Sequence, residues 1–145
     1  MPTTFRTLAV SLAAALLLGL PVSSPAGNYN YEEIANNPFQ LNGKMIKAEG
    51  VVERLKLNQV RDWGYYRFNL TEPGTKRYVS VNYYVSACGR QIDNFNFPEG
   101  ASVAVVGKFT RTTMTKVTGY LGNLYVNEDK RDAACKEERA RRRKR

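Results

Sequence analysis

Three hydrophobic patterns succeed one another along the chain. Leu8 to Leu20 is an uncharged, Leu/Ala-rich run of 13 residues. A polar stretch between Asn30 and Pro38 then predicts one short helix. Asn30 caps its first turn, Glu32 and Glu33 suit its positive end, and Pro38 stops it. After Gly43 the apolar period becomes two, the spacing of a strand with one face buried. Met45 to Leu57 reads as a long first strand with a bulge or sharp bend at Gly50. Gly64 to Leu70, Arg77 to Val85, Ala101 to Thr110 and Leu124 to Val126 follow, so five strands are predicted. Their connectors carry turn chemistry in Glu72-Pro73-Gly74 and Phe97-Pro98-Glu99-Gly100.

The alternation assigns faces. Tyr66, Phe68 and Leu70 share one side of the second strand, and Val79, Val81 and Tyr83 share one side of the third, which makes them core candidates. Val103, Val105 and Phe109 share a parity later on, with Gly107 between them. The opposite faces carry Tyr65, Arg67 and Asn69 on one strand and Tyr78, Ser80, Asn82 and Tyr84 on the next. Pairing through the Pro73-Gly74 turn sets these seven side by side as an aromatic and hydrogen-bonding outer patch. Trp63, at the strand entrance, is either a stacking residue or a loop plug.

Composition narrows the chemistry. The 145 residues hold 22 Lys and Arg, 13 Asp and Glu, two cysteines and no histidine, for a formal charge of +9. One domain fits this length. Without histidine the usual general base, the Ser-His and Cys-His pairs, and His-ligated zinc or haem are all excluded. The charge is uneven: residues 130–145 carry nine basic and three acidic residues, whereas 27–129 carry twelve and ten. The run Arg139, Arg141, Arg142, Arg143, Lys144, Arg145 repels itself, and disorder is predicted beyond Cys135. It serves as an electrostatic anchor to polyanions or as a solvated tail.

The Leu8–Leu20 run is too short to span a bilayer. Ser24 and Ala26 suit the positions before a signal-peptidase cut, so residues 1–26 read as a signal peptide and Gly27 as the mature start. The predicted division is then leader 1–26, domain 27–129 and basic tail 130–145, with no integral membrane segment in the mature chain. Export to the periplasm or beyond permits a disulfide between Cys88 and Cys135, whose simplest role is to pin the C-terminal segment to the domain. Their separation of 47 residues speaks against a metal or redox pair.

The order of these features resembles a known fold family. Tyr31-Glu32-Glu33-Ile34-Ala35-Asn36-Asn37-Pro38, then Leu41-Asn42-Gly43-Lys44 and Ala48-Glu49-Gly50-Val51-Val52, is similar to the opening of small exported bacterial OB-fold proteins. The resemblance covers about residues 30 to 126 and implies a mainly β chain: a five-stranded OB-fold-type barrel with a short N-terminal helix and a disordered basic tail. One departure is that Ser86 to Gly100, rich in Asn, Gly and Pro, predicts a loop or at most a helical turn where such folds often place a helix.

OB-folds bind oligonucleotides or oligosaccharides across strands two and three, which is where the outer patch falls. The expected function is therefore an exported, non-catalytic binding module. Trp63, Tyr65, Arg67, Asn69, Tyr78, Ser80, Asn82 and Tyr84 form its ligand face, and an oligonucleotide, acidic glycan or lipid phosphate its partner. No cofactor or metal is expected. An accessory or protein-interaction module of the envelope uses the same tyrosines and stands as the alternative. A secreted nuclease is a third reading, set back because Asp62, Glu72, Asp93 and Glu99 are scattered over separate loops and no motif joins two of them near Arg67 or Arg111.

Overall fold

The computed structural model describes residues 26–111 and 117–145. The predicted leader, apart from Ala26, lies outside them. In chain order the elements are β1 (Gly27–Asn28), α1 (Tyr31–Asn36), β2 (Met45–Val60), β3 (Trp63–Thr71), β4 (Tyr78–Ala87), β5 (Arg90–Gln91), β6 (Ser102–Thr110), β7 (Tyr120–Val126) and α2 (Glu128–Arg143). The five long strands are those the alternation predicts, although β7 begins at Tyr120 rather than Leu124.

The five close into a ring. β2 pairs antiparallel with β6 through Met45–Val51 and with β3 through Val51–Val60, so one strand serves both sides of the seam. β3 pairs antiparallel with β4, β4 parallel with β7, and β7 antiparallel with β6. Closure removes the free edges that an open sheet would present.

The bulge in β2 is not at Gly50. Pairing with β6 runs through Gly50 without a slip, and the register shift falls between Glu53 and Lys56, where Arg54 takes a left-handed φ of 56°. Gly50 answers a different constraint. A Cβ there would stand 2.5 Å from the Tyr31 hydroxyl and 2.6 Å from the Thr71 carbonyl oxygen. The Tyr31 hydroxyl donates to the Leu70 carbonyl at 2.9 Å, docking α1 against the barrel. Asn30 caps that helix as expected, accepting from the Glu33 N–H at 2.8 Å.

Phe68, Leu70, Val79, Val81, Val105 and Phe109 are buried in one core with Ile34, Ile46, Val52 and Leu124. Tyr66 and Tyr83 are partly buried against it. At their end of the barrel the chain from Ile92 to Pro98 has no helix, as the sequence predicts, and it fills the opening with aromatic rings. Phe95 stacks on Tyr66 at 4.2 Å between centroids and meets Tyr83 and Phe97 edge-on, each at 5.1 Å. Asp93 fastens this plug by accepting from the Tyr83 hydroxyl at 2.8 Å, the Asn127 side-chain amide at 2.7 Å and the Asn94 N–H at 2.7 Å.

The C-terminal segment departs from expectation. It is helical from Glu128 to Arg143, although the charge run predicts disorder beyond Cys135, and the boundary at residue 130 falls inside this helix. Its residues are strong helix formers, with Glu128 and Asp129 in the first turn and Arg141 to Arg143 in the last, which suits the helix dipole. Glu138 pairs with Arg141 at 2.7 Å and Arg142 at 3.2 Å, offsetting repulsion worth only tenths of a kcal/mol per exposed pair. Cys88 and Cys135 are bonded, with their Cα atoms 5.2 Å apart, and pin the helix to the turn after β4. In a chain-entropy picture, closing that loop stabilises by roughly 4 kcal/mol at most.

Two outcomes follow from this packing. Gly50→Ala forces Tyr31 or Thr71 to move and is expected to cost about 1–3 kcal/mol, read as a lower urea midpoint. The hydrogen bonds to Asp93 set a pH dependence. Burial alone would push its carboxyl up, but the bonds from Asn127 and Tyr83 outweigh burial and hold it below the ordinary range. A depressed carboxylate contributes stability above its unfolded value, lost as pH falls through the folded one. Thermal melts between about pH 5 and pH 2 should therefore show Asp93→Asn with a flatter acid limb than the parent, the two curves converging at low pH. Parallel curves would show that Asp93 does not carry this term.

Candidate ligand-binding face

Strand register assembles the outer face row by row. Arg67 in β3 lies opposite Lys56 in β2 on one side and Asn82 in β4 on the other. Asn82 in turn lies opposite Tyr125 in β7, and Tyr125 opposite Lys108 in β6. Opposed residues in a sheet share a face, so this row carries two adjacent cations, an amide and a phenol. The next row toward the Pro73-Gly74 turn holds Glu53, Asn69, Ser80, Asn123 and Thr110. Toward the opposite end, Asn58, Tyr65 and Tyr84 form another. Nearest the turn, Tyr78 meets Tyr120 with centroids 5.9 Å apart.

The predicted face is not uniformly open. Arg67 is exposed, and Tyr65, Asn69, Tyr78 and Asn82 are half-buried. Ser80 and Tyr84 are buried, at 5% and 6% exposure, and leave the accessible surface. Ser80 is a small side chain in a central strand, overshadowed by Asn69 and Asn123 on either side. Tyr84 is covered by its own neighbours: Tyr65 at 5.5 Å, Trp63 edge-on at 6.2 Å and, from α2, Arg131. The Arg131 guanidinium carbon lies 4.3 Å from the centre of the indole and 4.5 Å from that of the phenol. Such cation–π contacts contribute about 0.5–2 kcal/mol each. Burial pushes the Tyr84 hydroxyl up, with Arg131 pulling it back. The Trp63 ring is occupied by an arginine of the same chain.

Alternation could not reveal Lys56, Asn58, Tyr120, Asn123, Tyr125 or Lys108 as part of this surface. The register slip after Glu53 hides the parity of the second half of β2, and the parallel β4–β7 pairing joins segments far apart in sequence. Among the described residues neither Lys56 nor Arg67 forms an ion pair, whereas Lys108 is 3.3 Å from Glu128. Lys56 and Arg67 are thus free to meet an anion, and Lys108 is not.

The carboxylates weighed for metal chemistry are engaged separately. Glu72 pairs with Arg77 at 2.8 Å, Asp93 fastens the plug, and Glu99 accepts from the Leu55 N–H at 2.9 Å. Asp62 lines the cleft beside the disulfide. Among the described residues no group of three His, Cys, Asp or Glu side chains is placed to hold a metal ion. A groove of about 790 Å³ opens at the other end of the barrel, but Glu33, Glu49 and Glu72 line it, and their charge repels a polyanion. Of the predicted anchor, Arg141 and Arg142 are held by Glu138, while Arg139, Arg143, Lys144 and Arg145 are exposed. No described helix is long and apolar enough to cross a membrane.

No family model matches the chain, and no curated protein matches it. Among solved structures it is similar to a "putative nucleic acid-binding lipoprotein" from Klebsiella pneumoniae subsp. pneumoniae MGH 78578, with a TM-score of 0.50 and 14% identity over 69% of this chain and 87% of that one. A second, the OBody AM3L09 bound to hen egg-white lysozyme, aligns with a TM-score of 0.46 and 18% identity over 72% of this chain and 93% of that one. At 14% identity the likeness to the first is one of fold alone, and it agrees with the small β-barrel described above.

Proposed function

We propose that the protein is an exported binding module that takes an anionic polymer, with single-stranded nucleic acid as the best-fitting class, across the outer face of β3 and β4. The observation that carries this reading is the row Lys56, Arg67, Asn82. It sets two unpaired cations beside an amide that can both donate and accept, with Tyr65 flanking them. Cations track a phosphate backbone while rings stack on bases of any sequence, which is how sequence-tolerant single-strand binding works. The fold neighbour described as a nucleic acid-binding lipoprotein supports the same class. The disulfide fits an oxidising compartment, and the N-terminal leader supplies the route to it.

In this reading the face holds a ligand rather than transforming it. The exposed arginines beyond Glu138 add sequence-independent attraction, and selectivity falls to the sheet face. A protein partner would use the same surface with little dependence on salt, which gives the experiment its contrast.

Fluorescence anisotropy of a labelled oligothymidylate, titrated with the oxidised protein at several salt concentrations, tests the proposal. Binding should weaken steeply with salt. Lys56→Ala and Arg67→Ala should each weaken it several-fold and flatten the slope by about 0.7, the loss of one phosphate contact. Tyr65→Ala should cost about 1–3 kcal/mol of affinity at every salt concentration, the contribution of one stacked base. Slopes and affinities unchanged in all three variants would place the site elsewhere.

A further inference from the structure

We infer that α2 is a releasable cover over a second part of the ligand face, and that the slot formed at the corner where Trp63 and Tyr84 meet takes a planar ring, a nucleobase, once the Cys88–Cys135 bond is reduced. This inference rests on the binding reading above and adds to it a subsite and a control.

The slot is built for stacking and is filled from within. The Arg131 guanidinium is flat, 14% exposed as a side chain, and held 4.3 and 4.5 Å from two ring centres. Indole and phenol stand edge to face with their centroids 6.2 Å apart, so a base in place of the guanidinium would stack on one ring and meet the other at its edge. The slot continues the proposed site directly, since Tyr84 touches Tyr65, and Tyr65 lies two residues from Arg67 on the same strand face.

What holds the cover is mostly polar and tethered. Ala134 is the one buried residue of α2, so apolar burial contributes little to its docking. The remaining contacts are Arg131 in the slot, the Lys108–Glu128 and Arg90–Glu137 ion pairs, and Asn127, which donates to the Tyr84 carbonyl at 3.1 Å and to Asp93. Exposed ion pairs are weak. The covalent bond makes this modest set sufficient, because it keeps the helix at a high effective concentration over the sheet. Both cysteines line an open cleft of about 550 Å³, together with Asp62, Arg90 and Arg139, so a small dithiol can reach the sulfurs. The dithiol gives up two electrons and two protons and leaves as its own disulfide, while Cys88 and Cys135 become thiols. The freed helix remains joined through Val126 and Asn127, so its arginines stay near the bound polymer.

The test uses the full mature chain in three forms: oxidised, reduced with dithiothreitol, and Cys88→Ser/Cys135→Ser. All three carry the same charge. Acrylamide quenching of Trp63 reports the cover, anisotropy of a labelled oligothymidylate reports affinity, and far-UV circular dichroism reports the barrel. Opening is expected to raise the quenching constant at least about twofold and to tighten binding roughly tenfold, as one added stacked base implies. Bound oligothymidylate should then protect Trp63 from quenching. Should the barrel unfold on reduction, Arg131→Ala in the oxidised protein decides: removing the filler should expose Trp63 and tighten binding despite the lost charge. Quenching that responds to neither change, or a slot that opens with no gain in affinity, overturns the inference. Oxidised binding that depends on Arg67 but ignores reduction sinks the cover and leaves the proposed function standing. No binding in any form removes both.

Discussion

The seam formed by β2 is the constraint on which the other features depend. A single strand pairs with β6 through its first half and β3 through its second, and a barrel closes only if that strand turns between its two partners. The change of partner falls at Val51, and a one-residue slip beside the left-handed Arg54 follows it within the β2–β3 pairing. That slip determines which residues of the second half of β2 face outward, and so places Lys56 beside Arg67. The strand that closes the barrel therefore also builds the cationic row.

Closing so small a barrel leaves little room inside. Gly50 and Gly107 lie where the wall passes close to other backbone: a Cβ on Gly107 would stand 2.8 Å from the Tyr125 carbonyl oxygen. The two ends are then stopped by different means, Tyr31 and Ile34 of α1 at one and Phe95 with Phe97 at the other. Because the second stopper is a loop, it needs fastening, and Asp93 does this by joining Tyr83 to Asn127. Asn127 stands in the left-handed conformation at the start of α2, a backbone state asparagine tolerates better than most residues. The barrel's plug and the helix over its outer face are thus secured by one carboxylate.

This division explains what could be read from the sequence. The five strands, the capped first helix, the parity of Phe68, Leu70, Val79 and Val81, and the loop after Ser86 are local matters of period and turn chemistry, and the pattern shows them directly. The bulge in β2 lies past Gly50 because glycine signals either flexibility or close approach, and Gly50 meets a close approach. The disulfide was legible from export and cysteine count, yet the order it brings to residues 128–143 was not. Charge repulsion is visible in the sequence, whereas the pairs at Glu138 and the docking of Arg131 depend on the folded helix. Half of the candidate face was legible for the same reason: Tyr65, Arg67 and Asn82 follow from alternation, whereas Tyr125 and Lys108 depend on a parallel pairing between distant segments.

The cover over Tyr84 is a consequence of composition as much as of topology. A barrel whose outer wall bears Trp63, Tyr65 and Tyr84 in contact exposes an aromatic patch unless something lies on it. An arginine-rich segment following the last strand is within reach, and guanidinium is the cation that stacks on rings at least cost in lost hydration. Arg131 satisfies the patch without filling it with hydrocarbon, so the contact is polar enough to be reversible. A leucine at that position would bury the patch permanently. With arginine there, the aromatic patch and the basic segment remain separate parts of one chain, joined by the Cys88–Cys135 bond.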